Sequence, residues 1–90
     1  MLVFSVKDSG ESGKVMAVIC GDTYKSKDII KAAGYKWDGD DWGIEITVAE
    51  KRSAFMKSVK AAYEEAQKSI PALNFDRNSW VRKINELYHP

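Results

Sequence analysis

The chain has 90 residues, 44% of them hydrophobic and 30% charged, with a net charge of +1. That length fits one small domain covering 1–90, and the near-neutral charge argues against a uniformly basic nucleic-acid binder. The lone cysteine, Cys20, excludes an internal disulfide. With no long apolar run and no secretory-type start, it predicts a cytoplasmic protein without a membrane partner.

Charge is unevenly spread. Residues 1–48 carry six Lys against eight Asp/Glu, and residues 49–90 carry eight Lys/Arg against five Asp/Glu. A basic face in the second half is therefore compatible with the small total.

Residues 2–7 read as a strand, with Leu2, Phe4 and Val6 on one face by period two. Asp8–Gly13 is a polar turn. Lys14–Cys20 resumes as a strand that is apolar on both faces, as suits a central strand covered on both sides. Gly21-Asp22 breaks it. Ser26 is placed to cap a short helix with Asp28 in its first turn, Ile29, Ile30 and Ala33 inward, and Gly34 as its left-handed exit.

Tyr35–Trp37 and Trp42–Val48 flank D-G-D-D and form a hairpin. Gly39-Asp40 at its centre sets Trp37 opposite Trp42; Asp38-Gly39 sets Tyr35 there instead. Either register puts Tyr35, Trp37, Trp42, Ile44 and Ile46 on one face. Ala49–Lys68 has helical spacing through Phe55, Val59, Ala62, Tyr63 and Ala66, and Ser69-Ile70-Pro71 ends it. Asp76 caps a last helix with Trp80, Ile84, Leu87 and Tyr88 on its stripe.

The expected fold is α+β: a small antiparallel sheet of about four strands, ordered β-β-α-β-β-α-α, with helices packed on one face. Its core is expected to hold Phe4, Val6, Val18, Ile29, Ile30, Trp37, Trp42, Ile44, Ile46, Phe55, Val59 and Ile84.

Lys31, Gly34, Tyr35, Trp37, Asp38 and Trp42 fall in the pattern K-x-x-G-Y-x-W-D-x-x-x-W, preceded by Tyr24 and Lys27. This segment resembles a small domain carried by phage, plasmid and DNA-processing proteins. More distantly it is similar to the HARP domain of annealing helicases. The resemblance covers about a third of the chain. It implies an α+β unit that accompanies DNA transactions and touches single-strand/duplex junctions. Related turns often carry basic residues before the second tryptophan; this one carries Asp40 and Asp41, which repel phosphate.

Nucleic-acid binding needs cations for phosphate and aromatic rings on which unpaired bases stack. Lys25, Lys27, Lys31 and Lys36 interleave with Tyr24, Tyr35 and Trp37 to supply both. Lys57 and Lys60 offer a second cationic surface, beside Lys51 and Arg52. The bland alternative is a buried aromatic face under solvated lysines.

Asp38, Asp40, Asp41 and Glu45 have the oxygen ligands that hard cations take, but their spacing fails the calcium-loop pattern, so no metal is expected. No nucleophile–base set and no phosphate-binding glycine loop appears. The expectation is a protein without catalytic residues or cofactor.

The leading reading is a non-catalytic module binding single-stranded or junction DNA. The second is an anti-defence type of inhibitor, binding a host protein through the acidic surface Asp38, Asp40, Asp41 and Glu45. The third is a homodimer formed through an open sheet edge or the last helix, with Trp80 as anchor.

Overall fold

The computed structural model describes residues 1–89. Two strands, β1 (Leu2–Asp8) and β2 (Lys14–Gly21), open the chain. A 3-10 turn (Tyr24–Ser26) leads into α1 (Lys27–Ala32). The hairpin is β3 (Lys36–Trp37) and β4 (Trp42–Thr47), followed by α2 (Arg52–Ser69). A short β5 (Asn74–Phe75) and α3 (Arg77–Leu87) complete the chain. The result is a small α+β domain: a five-stranded, mostly antiparallel sheet in the order β3-β4-β2-β1-β5, with three α-helices.

The expected sheet of about four strands gains β5. Its two residues pair parallel with β1, Val3 opposite Asn74 and Phe4 opposite Phe75. As expected, β2 is central, between β1 and β4.

Pairing fixes the faces. Phe4, Val6, Val15, Ala17, Ile19, Ile44, Ile46 and Trp42 share one side of the sheet. Against that side pack Ile30 of α1, Phe55, Val59 and Ala66 of α2, and Ile84 of α3. Burying each large side chain fully contributes about 1.5–3 kcal/mol. Aromatic rings reinforce the β5 end: Phe4, Tyr63, Phe75 and Trp80 form a chain of contacts with centroids 4.6–5.5 Å apart.

Among the described residues the opposite face carries no helix, which corrects the expectation of a strand covered on both sides. Val18 is buried there by its neighbours. Gly43 lies beneath Met16, whose methyl would stand 2.7 Å from an added Cβ. Long polar side chains complete the cover: Lys7 Nζ reaches Asp41 at 2.6 Å, and Lys14 Nζ reaches Glu45 at 3.0 Å.

The start and middle of α3 are tied to β1. Ser79 N donates to the Asp76 carboxylate at 3.3 Å, as the capping pattern predicts, and Val6 N donates to Ser79 Oγ at 3.0 Å. Lys83 is buried and bonded to both Asp8 and Glu86. Burial pushes its pKa down, but these two carboxylates outweigh that and the net shift is upward. At the start of α1, Ser26 occupies the cap position without making a capping hydrogen bond; the 3-10 turn sets the entry instead.

Two expected core residues lie outside. Ile29 is 48% exposed and Trp37 is 53% exposed. A six-residue helix buries one narrow stripe, and Ile30 takes it. Trp37 lies on the core side of the sheet, but on the edge strand β3, where the helical layer has ended.

Candidate nucleic-acid interface

The hairpin takes the Gly39-Asp40 register. Trp37 stands opposite Trp42, and Asp38 N donates to Asp41 O at 3.1 Å. Gly39 has φ +105°, a region that suits glycine at the first central position of a two-residue turn. The Asp38 carboxylate accepts from the backbone N–H of Asp40 at 2.9 Å and of Asp41 at 2.8 Å. Those bonds from Asp41 and Asp40 hold its pKa below the usual carboxylate value. The turn thereby fixes where Trp37 begins.

Trp37 and Trp42 pack obliquely, with centroids 5.6 Å apart and planes at 52°. Facing them across the sheet edge is the 3-10 turn, where Tyr24 is 78% exposed. Lys27 Nζ lies over the Tyr24 ring at 5.0 Å, within cation–π range. Thr23, Tyr24, Lys27, Trp37 and Trp42 enclose an open depression of about 470 Å³. A second, of about 450 Å³, uses the same indoles with Lys31, Gly34, Tyr35 and Lys36. Lys27 and Lys31 are one helical turn apart, so both follow the same side of α1. Lys36 alternates with Trp37 along β3 and reaches the rim from the other face.

The cations and acids of this region differ in their commitments. Among the described residues, Lys25, Lys27, Lys31 and Lys36 take part in no ion pair, whereas Asp41 and Glu45 are paired with Lys7 and Lys14. Asp38 serves the turn. Among the described residues, Asp40 alone of the four acids accepts no hydrogen bond through its carboxylate. Each partner lysine is pushed above its ordinary value, Lys7 by the bond to Asp41 and Lys14 by the bonds to Glu45 and Glu11. Cys20 donates weakly to Asp41 at 3.7 Å, and burial followed by that carboxylate pushes its thiol up, away from the reactive thiolate.

No family model, curated protein or solved structure matches the chain.

Of the residues singled out in the sequence, Tyr24, Lys27, Lys31 and Lys36 come together around the indole pair. Tyr35 contributes to one wall but is 3% exposed, so it offers no free ring for stacking. Its hydroxyl has no hydrogen-bond partner among the described residues, and burial pushes its pKa up to about 12. Lys25 points elsewhere, to a depression beside Met1 and Asn74.

Lys57 and Lys60 are exposed on α2. Lys60 borders a groove with Tyr63, Phe75, Arg77 and Trp80, at the β5 end of the molecule. That end is roughly 19 Å from β3 across four interstrand steps of about 4.8 Å. Sequence reasoning offered Trp37 as a stacking ring but also counted it in the core, and it missed the part-exposed Trp42 and Thr23 as lining residues. The available signal was position: Trp37 is one residue from a tight turn on a strand that follows a very short helix.

Among the described residues, no group of three or more His, Cys, Asp or Glu is placed to hold a metal ion, and no helix is long and apolar enough to cross a membrane.

Proposed function

We propose that the domain is a non-catalytic module that binds single-stranded DNA on the Tyr24–Trp37–Trp42 shelf. The observation that carries this reading is Trp37, an indole with half its surface in solvent, standing among three lysines that have no ion pair among the described residues. Exposed rings give unpaired bases a stacking platform, worth about 1–3 kcal/mol per base. Lys27, Lys31 and Lys36 supply the phosphate contacts. A second copy of the chain is a poor occupant, since it would bring the same lysines against each other. The acidic-surface reading draws less support, because Asp38, Asp41 and Glu45 already have partners within the fold.

The test is fluorescence anisotropy of a labelled thymine octamer against a blunt duplex of equal length, over a range of salt. The octamer is expected to bind more tightly, with affinity falling as salt rises. Replacing Lys27, Lys31 and Lys36 together by Ala should lower the log–log salt slope by up to about 2, at about 0.7 per phosphate contact on a single strand. Absence of octamer binding at low salt defeats the proposal. A ribo-oligonucleotide of matching sequence that bound more tightly would move the assignment to RNA.

A further inference from the structure

The shelf is divided. The Trp37–Trp42 pair is a wall common to both depressions, one closed by Thr23, Tyr24 and Lys27, the other by Lys31, Gly34, Tyr35 and Lys36. Each half has an apolar surface and its own lysine from α1. Lys27 and Lys31 are separated by about 6 Å along the helix axis, at about 1.5 Å per residue.

Resting on the single-strand reading above, we infer that the site takes two consecutive unpaired bases, one on either side of the indole pair. Every nucleobase has a π-face, so either half accepts any base. Bases stacked in a strand rise only about 3.4 Å per step. A pair of indoles with centroids 5.6 Å apart cannot enter such a step unless the two bases part. Parting is cheap in a single strand and costs a few kcal/mol per step in a duplex. The site therefore selects unpaired strands by geometry, and reads no sequence. The phosphates flanking the opened step run along the rim, one toward Lys27 and the other toward Lys31.

The test uses the full chain and octamers of abasic deoxyribose carrying one, two or three adjacent thymines, so that backbone charge is constant. Affinity is expected to rise about 5- to 150-fold from one thymine to two, the equivalent of one stacked base. From two to three it should rise only by the statistical factor of an extra register. No gain from one to two overturns the two-base site, as does a third gain as large as the second. Either result leaves the nucleic-acid reading standing if the all-thymine octamer binds. If that octamer fails to bind at low salt, both fall together. The variant Tyr24→Ala removes a wall of one half only, at a position too exposed to matter for folding. It should abolish most of the gain from one thymine to two while binding of the all-thymine octamer persists; an unchanged gain overturns the inference.

Discussion

The two ends of the sheet contain similar residues and put them to opposite uses. At the β5 end, Tyr63, Phe75 and Trp80 stack on one another and on Phe4, and α2 and α3 close over them. At the β3 end, Trp37 and Trp42 also touch, but the helix layer stops with the six residues of α1 and leaves Trp37 half in solvent. Lysines border both ends. Composition therefore does not distinguish a core from a binding surface here; the reach of the helical layer does.

This contrast can be broken at several points. The largest effect is expected at the closed end. Phe4 is fully buried between Tyr63 and Phe75, so Phe4→Ala should destabilise the domain by about 3–5 kcal/mol in urea unfolding. A loss under about 1 kcal/mol would mean that this end is not the packed core. The turn that aims Trp37 should show a pH dependence. The folded-state pKa of Asp38 lies below its ordinary 3.8, because the Asp41 and Asp40 N–H groups favour the charged form. Its contribution is present above that ordinary value and is lost as pH falls through the lowered one. Octamer affinity should fall in the same window, and Asp38→Ala should remove that dependence.

A smaller effect is expected at Tyr35. Its buried hydroxyl has no protein partner among the described residues, so Tyr35→Phe should leave stability at neutral pH unchanged or raise it by about 1 kcal/mol. Burial raises its folded pKa from the ordinary 10.0 to about 12, so the folded state holds the proton more tightly. That stabilisation is complete below about pH 10 and is lost as pH rises toward 12. The Phe variant should lack this alkaline step in chemical denaturation. The smallest effect is expected for Lys60→Ala with Arg77→Ala. They border the closed end, so octamer affinity should stay the same. A marked loss would make the β5 groove a second contact surface.

Much of the fold was legible in the sequence. Period-two strands, Gly39 in a two-residue turn, Gly34 at the exit of α1 and Asp76 as a cap each follow from local backbone chemistry. β5 was not legible: two residues carry no periodicity, and Asn74-Phe75 becomes a strand only through parallel pairing with β1, about 70 residues earlier. The site was half legible. Its lysines, Tyr24 and Trp37 could be named from composition and spacing. Trp37 was also expected in the core and Tyr35 was offered for stacking, and the structure reverses the two although they lie on one face. Their fates differ because Tyr35 lies beneath α1 and Trp37 extends past it. Alternation tells which way a side chain points, but it does not tell how far the opposing layer extends.

The most direct measurement is the affinity of Trp37→Ala for a labelled thymine octamer, with urea unfolding of the same variant alongside. Trp37 is mostly outside the core, so stability should change by about 1 kcal/mol or less, while affinity falls about 5-fold or more for each lost stacking contact. Unchanged affinity with intact folding would contradict the account, because the exposed indole would then be only the frayed end of a core.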